Sequence, residues 1–335
     1  YTFLSIILTL LAIMKKIEIH LHIHVHRDDT NQSGETPQDV SIETLTHTLR
    51  QFIESIQDGI SRSTVNNYWT AFRSLLNFLS QHQANTVNAE LIKVYEHWLR
   101  ERGISPNTIS CYMRSLRSMF SKVGEMLGMN IHDMFDKVYT GNMKTNKRAI
   151  NSDAITKLKM LELRQGSFLS LVRDIFLFSF YALGMPFVDV AYLRKSQIAE
   201  GYFTYYRHKT GQKVTVRLEP CMLDIIRRYQ SPEREYVFPV IRSSDPQKAY
   251  RQYRQTLNRY NRSLKDLAER AGISEHLTSY VARHTWASVA YSQNVDLPVI
   301  SKALGHTNPQ TTLIYVKEIN DKRLDEANHI IISKI

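Results

Sequence analysis

Residues 303–315 read ALGHTNPQTTLIY, and the way this stretch breaks decides the fold. The run from Pro298 to Leu304 is a short helix stopped by Gly305, and Asn308-Pro309 opens another helix that holds Tyr315. A short helix, a glycine turn and a capped second helix resemble a DNA-binding helix-turn-helix, in which His306 and Tyr315 would be incidental. Their company argues for more. Residues 280–286 read YVARHTW, an Arg-His pair about twenty residues upstream. Residues 207–213 read RHKTGQK, with Lys209 at the tip of a hairpin. Each segment is weak alone.

Working outward, Phe168 to Tyr181 is nearly all apolar and reads as a buried helix, broken by Gly184-Met185-Pro186 before another begins at Phe187. Gly201 to His208 and Lys213 to Leu218 flank the Thr210-Gly211 turn as a hairpin. Pro246 to Arg270, closed by Gly272, and Thr278 to Ser292 read as helices. Ser41 to about Val138 looks all-helical. Ser63-Thr64 can cap one helix carrying Tyr68, Phe72, Leu75, Leu76 and Phe78, and Ser105-Pro106 starts another carrying Ile109, Tyr112, Leu116 and Phe120. Arg73, Arg114 and Arg117 fall on the other faces of these helices, as ordinary solvated cations or as a grip on phosphates. The polar, basic run GNMKTNKRAIN at 141–151 reads as a linker, whose Lys144, Lys147 and Arg148 are placed to lie on DNA. The expected architecture is mainly α with a small antiparallel hairpin: an extension at 1–38, a helical domain at 39–140, the linker, and an α+β domain at 152–335.

The bulk numbers allow this. A chain of 335 residues predicts two domains, and 43% hydrophobic with 22% charged residues is a folded composition. The net charge of +11 suits a polyanionic partner, a nucleic acid or an anionic membrane surface. Cys111 and Cys221 lack metal-ligand spacing and allow one disulfide at most, as in a reducing cytoplasm. Residues 1–13 are apolar, too short to span a bilayer, and followed by the plausible start Met14-Lys15-Lys16. They read as an artefact of the recorded start, with a weak membrane anchor as the alternative. Lys15 to His26 alternates as a strand with His20, His22, His24 and His26 on one face, a half-solvated strand or arm before a metal site.

Taken together, the three segments have the layout of the tyrosine recombinase, or phage integrase, catalytic domain. FLFSFYALGMPFVDVAYLRKSQI at 176–198, YRHKTGQ at 206–212 and LTSYVARHTWAS at 277–288 resemble the integrase branch carried by bacterial mobile elements. NTISCYMRSLRSMF at 107–120 resembles that branch's core-binding domain. The resemblance implies a site-specific recombinase (an integrase or invertase) working on double-stranded DNA as a homotetramer in the bacterial cytoplasm, with no metal and no cofactor. It implies that Tyr315 attacks the phosphate, Arg283 clamps it, His306 hydrogen-bonds it and Lys209 protonates the leaving oxygen. His284 is read as structural. Tyr280 stands where the family usually has His, and Pro186 where it has its first catalytic arginine. Arg173 and Arg194 flank that gap, and Arg173 is the preferred replacement. Asp189 matches the acid that braces the active-site arginines. Pro186 also keeps open a DNA-binding protein of the same fold with impaired catalysis, and a topoisomerase-like relaxer shares the chemistry. The apolar end IIISKI is expected to dock on a neighbouring protomer.

Overall fold

The computed structural model describes residues 40–82, 84–129, 131–143, 149–308, 310–313, 329 and 331–333. The chain divides into two compact units, residues 1–144 and 145–335. The expected histidine strand and the first linker, together with Lys144, Lys147, Arg148 and Tyr315, lie outside the described residues.

The first unit is built from helices whose starts are written in small polar residues. Ser41, Ser61, Asn88 and Ser105 each accept a backbone N–H of the first turn, opening α1 (Ile42–Ile56), α2 (Arg62–Leu79), α3 (Ala89–Glu101) and α4 (Pro106–Leu127). The cap of α2 is thus Ser61, two residues earlier than the sequence suggests, and Thr64 supplies the amide it accepts. Gly128, at φ 66°, closes α4 in the left-handed conformation. Leu45, Leu49 and Ile53 recur at helical spacing on α1 and are buried against Phe72, Leu75 and Phe78 of α2 and Ile109, Leu116 and Phe120 of α4. Each such side chain contributes about 1.5–3 kcal/mol on burial. Tyr68 and Tyr112 are only half-buried, and the Tyr68 hydroxyl pairs with Ser118 at 2.8 Å.

In the second unit, α5 (Ser152–Met160) precedes α6 (Phe168–Tyr181), which buries Val172, Ile175, Phe176 and Phe178 in the larger core. After the Gly184 turn comes α7 (Phe187–Ala191), then an antiparallel sheet in the order β1 (Ile198–Ala199), β2 (Tyr202–Tyr206), β3 (Lys213–Arg217). Phe203 pairs with Val216 and Tyr205 with Val214, and all four face the core. The sequence suggests the hairpin but not β1, whose two residues carry no alternation to read. Then follow α8 (Pro220–Arg228), α9 (Pro246–Arg270), α10 (Val281–Ser292), α11 (Leu297–Leu304) and α12 (Gln310–Leu313). Helix α10 begins three residues later than the expected Thr278. Among the described residues no helix is long and apolar enough to cross a membrane.

Candidate active site

Arg283 projects from the first turn of α10 and is 3% exposed. Its Nη1 donates to the Gly184 carbonyl at 3.1 Å and its Nη2 to the Leu304 carbonyl at 2.6 Å. The Gly184 turn exists for this approach. Its φ is 68°, and a Cβ there would stand 2.9 Å from the Arg283 Cα, so only glycine fits. Ser179 stabilises the turn by donating to the Met185 carbonyl at 2.5 Å.

A second guanidinium meets the same carbonyl. Arg207, 5% exposed, leaves the end of β2, and its Nη1 donates to Leu304 O. Its Nε forms an ion pair at 2.9 Å with Asp189, which α7 presents. The other Asp189 oxygen accepts the His208 backbone N–H at 2.9 Å and meets the His208 Nδ1 at 2.8 Å. Two guanidinium groups therefore lie side by side at the C-terminal end of α11, one braced by a buried carboxylate. Gly305 turns the chain there at φ 62°, and an added Cβ would lie 3.1 Å from the Arg207 Cγ.

His306 follows directly. Its Nε2 lies 3.0 Å from the Arg283 Nη2 and its Nδ1 lies 2.9 Å from the Thr312 hydroxyl. A guanidinium can only donate, so Nε2 accepts and the imidazole is the neutral Nδ1–H tautomer. Burial lowers its pKa to about 4, and the charges of Arg283, Arg207 and Lys209 push in the same direction. Lys209 is exposed on the hairpin turn, and Thr210 of that turn donates to the Gly305 carbonyl at 3.4 Å. Three cations facing one carboxylate and a neutral imidazole make a site suited to a phosphodiester.

The structure thus brings together Arg283, His306 and Lys209. Tyr280 is the residue before α10, three positions from Arg283, with a half-exposed ring 6.0 Å from that of His284. Arg173 is a correction: it does not join the cluster. It sits inside α6, paired with Asp174 at 2.9 Å and donating to the Leu161 carbonyl at 2.8 Å. Arg194 is likewise engaged with Glu235 at 3.0 Å. The cation beside Arg283 is Arg207. Its signal was the strand alternation, which puts Phe203, Tyr205 and Arg207 on one inward face; a buried arginine there needs an acid. In the first unit Arg73, Arg114 and Arg117 are exposed. Arg73 stacks on Trp69, Arg114 reaches Asn142 at 3.4 Å and Arg117 lies 3.9 Å from Asp136.

The chain belongs to the phage integrase family of tyrosine recombinases: residues 169–322 match the phage integrase family and residues 44–126 the phage integrase SAM-like domain. Among its relatives, tyrosine recombinase XerC of Rickettsia canadensis is 23% identical over 303 residues, covering 83% of this chain and 93% of its own. Tyrosine recombinase XerD of Halalkalibacterium halodurans is 23% identical over 299 residues, covering 86% and 98%. In fold, the chain is similar to a lambda integrase dimer bound to a COC' core site, with a TM-score of 0.62 and 13% identity over 84% of this chain and 99% of that one. The Tn1549 transposon integrase in complex with a circular intermediate DNA gives a TM-score of 0.61 at 15% identity, over 85% and 99%.

Proposed function

We propose that this site-specific DNA recombinase cuts and rejoins its DNA through a 3′-phosphotyrosyl link to Tyr315. The observation that carries the proposal is the convergence of Arg207, Arg283 and His306 at the Leu304–Gly305 turn, ten residues before Tyr315 in the sequence. The two guanidinium forks neutralise the non-bridging oxygens of the scissile phosphate. A tyrosine hydroxyl ordinarily titrates near 10, so attack needs a proton acceptor and cationic surroundings. His306 is neutral, and its Nε2 lone pair is held by Arg283 until that guanidinium turns onto the phosphate. The arriving phosphodiester puts negative charge beside that ring, raises its pKa and lets it take the Tyr315 proton. Lys209 protonates the departing 5′ oxygen. The reverse sequence, with a 5′ hydroxyl attacking the link, rejoins the strand. Tyr280 positions the phosphate from the start of α10.

Double-stranded DNA is the partner, gripped by Arg73, Arg114 and Arg117 of the first unit and by Lys144, Lys147 and Arg148 of the basic run at 141–151. A lambda integrase tetramer bound to a Holliday junction shares the fold at a TM-score of 0.63, and we extend a tetrameric assembly on two sites to this chain. Integration or inversion of a mobile element, in the bacterial cytoplasm, is the reading that the Tn1549 likeness favours. The rival reading, a protein that binds DNA without cutting it, rested on Pro186; Arg207 supplies the charge that Pro186 lacks. The test is trapping on a nicked suicide duplex carrying the element's ends. A protease-sensitive adduct is expected with the natural chain and none with Tyr315→Phe. Tight binding of a proven site with no adduct from either protein would sink the proposal.

A further inference from the structure

A cavity of about 990 Å³ opens at the N-terminal end of α6, beside Ser167 and Phe168. The Arg283 cluster adjoins the opposite end of this helix, and 14 residues of α-helix span about 21 Å, so the two sites are separate. Five arginines line the cavity, Arg173, Arg228, Arg234, Arg242 and Arg259, against a single carboxylate, Asp174. Asp174 is 2% exposed at its side chain and holds Arg173 at 2.9 Å and Arg228 at 3.1 Å. Arg234 is tied to the Tyr229 carbonyl at 2.7 Å, and Arg259 stands 3.7 Å over the Phe168 ring. These anchors fix where the guanidinium groups point but balance only one charge in five. The first turn of α6, capped by Ser167, adds its positive helix end to the same hollow.

Like charges gathered around one hollow repel unless a counter-charge enters. The volume lies within the range of small-molecule sites, roughly 300–1,000 Å³. Paired guanidinium forks match phosphate oxygens, and Leu163, Leu171, Pro239 and Val240 offer an apolar floor. We propose that this cavity binds a small polyphosphate compound of the nucleoside triphosphate class, its phosphates held by Arg234, Arg242 and Arg259. A duplex backbone fits less well, because these arginines line one hollow instead of following a ridge.

Calorimetric titration of the full chain with ATP, inorganic tripolyphosphate and AMP tests this. Binding of the first two is expected, with AMP at least tenfold weaker. Tighter ATP than tripolyphosphate makes the ligand a nucleotide; equal binding makes it the phosphate chain alone, and either supports the site. The double variant Arg242→Gln/Arg259→Gln should bind tripolyphosphate at least tenfold more weakly, with its melting curve checked. Gln255→Glu, on the exposed cavity side of α9, retains every arginine and should weaken binding in the same direction. Undetectable tripolyphosphate binding at millimolar concentration overturns the proposal. So does binding that survives these variants but disappears in Arg207→Gln, which would move it to the catalytic cluster. A short non-cognate duplex that displaces tripolyphosphate and is itself weakened by the double variant would make the hollow a DNA backbone contact, and likewise overturns it.

Discussion

Two buried aspartates serve the two ends of one part of the fold in opposite ways. Asp174, on α6, is met by Arg173, Arg228 and the Tyr229 hydroxyl, and the Arg173 fork is completed by the Leu161 carbonyl. Asp189, on α7, is met by Arg207 and His208, both from one hairpin turn, and the Arg207 fork continues to the Leu304 carbonyl beside Arg283 and His306. The first carboxylate consumes its helix neighbour; the second aims an arginine at a site. Acid and base adjacent in sequence say little about which cation is available. What matters is what the far side of the guanidinium faces.

The sharpest way to break this contrast is Arg207→Ala. Removing one pre-set donor to a developing oxyanion costs about a hundred- to thousandfold in rate, so cleavage of the suicide duplex should fall by that much, while Arg173→Ala stays within a few-fold of the natural chain. Equal losses in the two variants would dissolve the distinction. Asp174→Asn should do the reverse: removing the buried carboxylate that holds the partly buried Arg173 and the exposed Arg228 should cost about 1–3 kcal/mol in denaturant unfolding, with cleavage well below the transition little changed. The smallest expected effect is on acid stability. His306 is pushed down from 6.5 to about 4, so the folded state resists a proton that the unfolded chain accepts. Stability should therefore decline as pH falls from about 6.5 toward about 4 and level off below, with the ring neutral and neutral in effect above that window. His306→Gln should flatten this part of the curve; an unchanged slope would assign it to other groups.

Much of this was legible in sequence because it depended on neighbours. Ser105-Pro106 marked the start of α4, Gly305 the end of α11, and the apolar run of α6 its burial. The replacement for the arginine missing at Pro186 was not legible in the same manner. A search near position 186 finds Arg173 and Arg194, whereas Arg207 arrives from a strand that only the hairpin register brings beside α7 and α11. The cap of α2 slipped for a milder reason: Ser61, Ser63 and Thr64 offer similar hydroxyls, and all three cluster around the Ser61 oxygen. His306 was found by its spacing from Tyr315, but its protonation state follows from burial and from the charges that the fold gathers around it, Arg283 first and then Arg207, so the sequence could not supply it.

The Leu304 carbonyl is a single oxygen that accepts from both Arg207 and Arg283. It belongs to the last turn of α11, where the helix carries partial negative charge. Two cations share that one atom, and each has a second anchor of its own, Arg207 at Asp189 and Arg283 at Gly184. A small rotation of that turn would slacken both forks at once and carry His306, two residues on, with them. The two forks and the imidazole are thereby governed in common by the position of one peptide unit.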